Sequence, residues 1–167
     1  RAGRRVTRGA VADGQGRGDA LQLPTLPSAM ECFDISNSST THVVASMGSF
    51  REGVPDKNNY RRYRIRTVEG QDDFASMAEV VRRRYSRVLL QAREENPEAA
   101  EFSQEDRAEA IARTFVAVRL PDLVIVDGGK GQLSSACREL QRLGLHELPI
   151  IGLAKEFEEI YRPGRAL

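Results

Sequence analysis

Leu123-Val124-Ile125-Val126-Asp127-Gly128-Gly129-Lys130-Gly131-Gln132 is the stretch whose reading decides the fold. Four consecutive apolar residues, three of them β-branched, read as a strand buried on both faces. The run stops at a carboxylate, three glycines and a lysine follow, and helix-forming residues resume at Gln132. The end of such a strand is where open α/β sheets place their chemistry. The glycines let backbone N–H groups approach a bound group, and Lys130 adds positive charge there. The nucleotide-binding P-loop pattern is not matched, because the lysine sits between glycines with no Ser or Thr after it. The dinucleotide pattern fails on the spacing of Gly128, Gly129 and Gly131. A plain alternative stays open, in which Asp127 caps the helix and the glycines only turn the chain.

Upstream, residues 30–36 read as the first strand, with Phe33 and Ile35 on one face and Cys32, Asp34 and Ser36 on the other. Residues 37–40 read as a polar turn, 42–50 as a second strand and 51–59 as a hairpin loop. Residues 60–68 read as a third strand. There Tyr60, Arg62, Arg64 and Arg66 share one face, and Tyr63 and Ile65 the other. This is an antiparallel meander with one packed and one basic face. A helix follows, capped by Asp72 or Asp73, with Phe74, Met77, Ala78, Val81, Tyr85, Val88 and Leu89 at helical spacing. Its Arg82–Arg84 run is expected on the surface, and Pro97 ends it. Residues 104–118 read as another helix. After the Leu123 strand come a helix through Leu133, Ala136, Cys137, Leu140 and Leu143, a strand at 149–153 and a short strand at 159–161. The fold class is α/β, a mixed sheet of three meander strands plus parallel strands with helices on its faces.

The chain has 167 residues and a net charge of +1. That suits one domain preceded by an Arg-, Gly- and Pro-rich lead-in over residues 1–28. The charge is segregated. Arg1, Arg4, Arg5, Arg8 and Arg17 open the chain, Arg61, Arg62, Arg64 and Arg66 form a second stripe, and Arg82, Arg83, Arg84 and Arg87 a third. Acids cluster between Glu94 and Glu109, in what reads as an acidic helical insertion over 92–110. Basic stripes on a near-neutral protein fit a polyanionic partner, or else a solvated face. Cys32 and Cys137 have no zinc spacing, so buried thiols in a reducing cytoplasm are the default. No apolar run reaches the roughly 20 residues of a membrane span, and the start is no secretory signal. A start without Met suggests part of a longer chain.

Asp34 and Asp127 are the chemically informative pair. In a sheet of this order the first and fourth strands can be neighbours, which would bring the two carboxylates together. Facing acids repel, and a divalent cation relieves the repulsion. Oxygen donors without a His or Cys cluster favour Mg2+ or Mn2+, ions that assist phosphodiester hydrolysis.

Several segments together resemble the C-terminal endonuclease region of the UvrC family. They are Glu31-Cys32-Phe33-Asp34-Ile35-Ser36, Tyr60-Arg61-Arg62-Tyr63-Arg64-Ile65, Asp72-Asp73-Phe74-Ala75-Ser76-Met77-Ala78-Glu79-Val80, Arg83-Arg84-Tyr85, Leu120-Pro121-Asp122 running on through Leu133, and Gly152-Leu153-Ala154-Lys155. The resemblance runs from about residue 21 to 159. It implies a ribonuclease H-like domain over 29–167 that cuts damaged double-stranded DNA 5′ to a lesion with divalent metal, after UvrA and UvrB have found the damage. A separate N-terminal GIY-YIG domain of the family makes the 3′ cut. The resemblance places the family's catalytic, metal-binding aspartates on Asp34 and Asp127. It makes Arg62, Arg64, Arg66, Lys130 and Lys155 candidate contacts to DNA, with no small-molecule cofactor and no membrane. The family's catalytic histidine lies in a later run that this chain does not reach before Leu167, so the domain is expected to be incomplete at its C-terminus. His42 and His146 do not match it and read as ordinary residues. Two other readings stay open. One is a non-catalytic DNA- or protein-binding remnant of the domain. The other is a phosphate- or nucleotide-binding α/β protein resting on the glycine loop.

Overall fold

In the computed structural model the described residues are 26–39, 42–95, 97, 120–154, 159–163 and 165–166. The lead-in up to residue 25, the helix expected over 104–118, most of the acidic segment 92–110, and Lys155 lie outside them. The described strands are β1 (Ala29–Ser39), β2 (His42–Arg51), β3 (Val54–Pro55), β4 (Arg61–Arg64), β5 (Leu123–Asp127), β6 (Ile150–Ala154), β7 (Glu159–Arg162) and β8 (Arg165–Ala166). The described helices are α1 (Asp73–Glu95) and α2 (Lys130–Arg142). The strands form one sheet in the order β3-β2-β1-β5-β6-β7-β8, with β4 also paired to β2. The β1, β5 and β6 strands are parallel, and the remaining pairings are antiparallel. This is the mixed sheet that the order of the elements predicts.

Partners across a ladder share a face, so the register sorts the side chains. One face carries Phe33, Ala45, Met47, Val124 and Val126, all enclosed. Both described helices pack on it, through Met77, Val80, Val81, Tyr85 and Val88 of α1 and Leu133, Ala136 and Leu140 of α2. Phe33 meets Tyr85 edge-on, with ring centroids 6.0 Å apart. Asp34 belongs to the opposite face.

Three features differ from the sequence reading. First, β1 does not turn at residues 37–39. It runs on to Ser39 because β2 continues to pair with it at Asn37 and Ser39 across a register shift. Second, the 51–59 loop contains a strand. Arg51 pairs with Val54 across a two-residue turn in which Glu52 and Gly53 both have positive φ (51° and 75°). Two left-handed residues match the twist of a hairpin, which is why Gly53 stands there. Third, the strand expected over 60–68 shortens to β4. The Ile65 N–H still reaches the Val43 carbonyl (3.0 Å), but the Arg66 and Thr67 N–H groups turn to the Glu79 carboxylate.

Helix α1 is capped by Asp72, whose Oδ1 accepts the Ala75 N–H (3.0 Å). Its inward face includes Ser76 and Glu79, whereas Phe74, expected inside, is 52% exposed. The Phe74 ring lies over Gly131: a Cβ there would come within 2.2 Å of it. The Arg82–Arg84 run, expected on the surface, is tied into the fold by ion pairs, as described below. Cys32 and Cys137 are half-buried rather than enclosed.

Replacing Phe33 by Ala removes a fully buried ring from between sheet and helix. The expected cost is about 3–5 kcal/mol, read as a lower urea midpoint with an unchanged slope.

Candidate functional site

The strand β5 pairs with β1 in parallel, and its last ladder position sets Asp127 directly beside Asp34. Their backbones are one strand spacing apart, about 4.8 Å. The two side chains therefore rise from the same face, the one opposite the helices. Asp34 is exposed and Asp127 half-buried, so both are reachable without opening the core. The two acid-bearing strands are neighbours, as expected, and the two aspartates are ladder partners.

The register extends the row across the sheet. Asp34 faces Ser46 on β2, and Ser46 faces Arg62 on β4. One step along, Ser36 faces Val44, and Val44 faces Arg64. Arg62 and Arg64 thus share the carboxylate face. Arg61 pairs with Met47 and belongs to the helix side. Arg64 Nη2 lies 3.1 and 3.2 Å from the His42 ring nitrogens. Arg66 is exposed, but it lies beyond the end of β4. Lys130 opens α2, with its ammonium 5.4 Å from the Tyr161 ring centroid. Lys155 is outside the described residues. His42 and His146 are exposed, in keeping with an ordinary surface role.

The glycine loop is built for packing. The residue capping α2 is Gly129, which has no side chain to cap with, so Asp127 is not the N-cap residue. None of Gly128, Gly129 and Gly131 has positive φ. Gly131 is needed for the close approach of the Phe74 ring. Of the plain reading, the Asp127 cap is not formed, while Gly131 does serve helix packing.

Two buried carboxylates that the sequence reading passed over hold this arrangement. Glu31, on the core face of β1, accepts two hydrogen bonds from Arg84 (Nη2 2.8 Å, Nε 3.2 Å) and one from the Tyr85 hydroxyl (2.9 Å). Burial first, then the Glu31 charge, pushes the Tyr85 phenol well above its ordinary pKa and keeps it a neutral donor. Glu79, 1% exposed, accepts the Arg66 N–H (2.9 Å), the Thr67 N–H (2.6 Å), the Thr67 hydroxyl and Arg83 Nη1 (3.1 Å). Arg83 also donates to the Arg64 carbonyl (2.7 Å) and lies over the Tyr63 ring. Helix α1 therefore grips the end of β4. Arg82 reaches Glu139 of α2 (3.8 Å). For Glu79 the one sequence signal is an acid among the apolar positions of the helix, which is ambiguous without coordinates.

Among the described residues no three His, Cys, Asp or Glu side chains come together to hold a metal ion. The described donors at this place are the two carboxylates. Two hard oxygen ligands are what Mg2+ ordinarily takes from a protein, with water and substrate phosphate completing its shell, so the donor set fits such an ion. No described helix is long and apolar enough to cross a membrane.

Residues 18–166 match the family model described as the UvrC RNAse H endonuclease domain. The chain is 53% identical over 144 residues to a UvrABC system protein C of Methanosarcina acetivorans, covering 86% of this chain and 23% of the relative. It is 49% identical over 148 residues to one from Methanospirillum hungatei, covering 89% and 24%. With one from Parafrankia it is 44% identical over 162 residues, covering 92% and 23%. The chain spans about a quarter of the length of these curated relatives. Among solved structures it is similar to Ciona intestinalis Endonuclease V in complex with a 24mer DNA containing an inosine followed by a ribo-adenosine. That match has a TM-score of 0.45 and 13% identity, covering 89% of this chain and 59% of that one.

The Glu79 clamp makes stability pH-dependent. Burial alone would raise this carboxyl's pKa, but the hydrogen bonds from Thr67, Arg66 and Arg83 outweigh it and hold the group below its ordinary value of 4.5. A carboxyl with a lower pKa folded than unfolded adds stability at neutral pH. That stability drains away below about pH 4.5 and is gone under the folded value. Glu79→Gln is expected to cost about 2 kcal/mol at pH 7 and to flatten the acid limb, measured by urea unfolding at a series of pH values.

Proposed function

Since the chain belongs to the UvrC RNase H endonuclease domain family, we propose that Asp34 and Asp127 form the carboxylate site of a metal-dependent DNA endonuclease. Residues 29–167 are the ribonuclease H-like unit in this reading, with 1–28 leading into it. The observation that carries it is the placement of Asp127 beside Asp34 at the end of the β1–β5 ladder.

The two carboxylates supply hard oxygen donors suited to Mg2+ or Mn2+. Such an ion, when bound, would lower the pKa of a water nucleophile and neutralise charge building on the leaving oxygen. The protein's own part is positional. Both acids stand on hydrogen-bonded strands rather than loops, so their separation is fixed before substrate arrives. Both lie on the face away from α1 and α2, where a phosphodiester can approach without disturbing the core. The finer reading is a cut 5′ to a lesion in double-stranded DNA, in concert with UvrB and after UvrA. It rests on the family and on the relatives' designation as UvrABC system proteins.

The test places residues of this chain into the Methanosarcina acetivorans relative, in exchange for the 144 that match. With UvrA, UvrB, Mg2+ and damaged duplex DNA, the chimera is expected to nick 5′ to the lesion. Asp34→Asn and Asp127→Asn in that chimera should each lower the nicking rate by more than the roughly 10–100-fold typical of groups outside the metal's own ligands. Calorimetric Mn2+ binding to this chain should be lost with either variant. A chimera that binds DNA and leaves it uncut would instead support a binding remnant of the domain. Nicking that survives both substitutions would refute the assignment of the site.

A further inference from the structure

We propose that Arg62, with Arg64 beside it, forms a phosphate-binding edge for the same DNA strand that lies over Asp34 and Asp127. This rests on the endonuclease reading of that pair. The sequence offers three arginine stripes, and the structure separates the two it describes. Arg82, Arg83 and Arg84 are engaged with Glu139, Glu79 and Glu31, and are not available to a polyanion without loosening the helix from the sheet. Arg61 faces the helix side and donates to the Asn58 and Tyr60 carbonyls (3.1 and 2.9 Å). Arg62 is exposed on the carboxylate face, and its side chain makes no hydrogen bond or ion pair among the described residues.

The geometry runs across the strands. Arg62, Ser46, Asp34 and Asp127 occupy one ladder row over β4, β2, β1 and β5. Two strand spacings separate Arg62 from Asp34, about 10 Å. DNA advances about 3.4 Å of helix axis per phosphate of each strand, and the path along the backbone between phosphates is longer. A backbone lying along the row with one phosphate at the acids would therefore bring a near neighbour of that phosphate within reach of Arg62. The electrostatics require such a group. Two carboxylates repel a phosphate backbone, and a cation between them offsets that only locally, so the flanking phosphates need their own positive partner. Ser46, between Arg62 and Asp34, adds a hydroxyl donor to the path. Arg64 is the second member of this edge, with His42 beside its guanidinium.

The edge is also held in place. Glu79 and Arg83 clamp the backbone at Arg64, Arg66 and Thr67. A four-residue strand at the sheet border would otherwise fray, and a frayed strand could not hold Arg62 at a fixed distance from the acids.

The experiment measures binding of this chain to a short fluorescein-labelled duplex by anisotropy, in Mg2+, from about 50 to 200 mM salt. Arg62→Ala is expected to weaken binding about tenfold at the lowest salt and to make the log–log salt slope shallower by about one. Arg62→Lys should restore most of both, since a phosphate is read here as charge. Arg61→Ala, one residue away on the other face, should stay within about twofold of the unaltered chain. Arg62→Ala should melt at the same temperature as the unaltered chain, because its side chain supports no described contact. Equal losses from Arg61→Ala and Arg62→Ala would overturn the edge in favour of diffuse charge. An unchanged affinity in Arg62→Ala, or no DNA binding by the unaltered chain, would overturn it as well. None of these three results decides the endonuclease reading, which stands or falls on Asp34→Asn and Asp127→Asn in the nicking chimera.

Discussion

The parallel register between β1 and β5 is the constraint on which the rest of this structure depends. Side chains alternate between faces with period two, so a slip of one residue would put a core residue beside Asp34 and send one acid into the packed side. Three anchors oppose that slip. At the entry to both strands the Asp122 carboxylate accepts the Ser28 N–H, the Ser28 hydroxyl and the Ala29 N–H (2.9–3.0 Å), while its own N–H donates to the Ala29 carbonyl (2.8 Å). Midway, Glu31 is fastened to Arg84 and Tyr85 of α1. One step before the acids, Phe33 is locked between sheet and helix and paired with Val126. A polar staple at the edge, a buried ion pair and an apolar plug use different physics, yet all three select one register.

The buried charges deserve separate weight, because a buried carboxylate is costly unless its lone pairs are occupied. Glu79 meets that condition with donors from two elements, and Glu31 with donors from one helix. Such a group adds little net stability over an apolar residue of similar size, but it accepts only one geometry. Its contribution here is positional: α1 cannot shift along the sheet without stripping Glu31 or Glu79 of partners. The arginines that look like a nucleic-acid stripe in the sequence are the counterparts in these pairs. Their positive charge is directed inward, and by register the face carrying the acids holds Arg62, Arg64 and Arg162 among the described residues.

Much of this was legible in the sequence, for reasons that can be named. The alternation around Phe33 and Asp34, the β-branched run before Asp127, and the apolar spacing from Met77 to Val88 are periodic signals, and periodicity survives without coordinates. The mixed sheet and the adjacency of the two acid-bearing strands followed from element order. What failed was local competition for backbone donors. The third strand stops early because a carboxylate twelve residues later takes its N–H groups, which no window around residues 65–68 contains. The turn at Glu52 and Gly53 was hidden because Glu is an uncommon residue at positive φ. Phe74 sits at an inward-looking helical position, but its partner is a glycine on the other helix, so it packs at the rim and stays half exposed.

The glycine loop also has a packing role of its own. Phe74 of α1 can lie over the start of α2 because Gly131 has no Cβ. That contact, with Arg82 reaching Glu139, sets how closely α1 and α2 approach. Helix α1 in turn holds β1 through Glu31, and α2 follows β5 after only two residues. Both strands that carry the acids are thus tied to helices whose mutual distance is set at Gly131. A side chain there would swing the exposed Phe74 ring aside or part the helices, and the second outcome strains the β1–β5 ladder at the end where Asp34 and Asp127 stand. The glycines next to a catalytic-looking carboxylate then serve the site through packing, by keeping two helices close enough for two strands to stay in register.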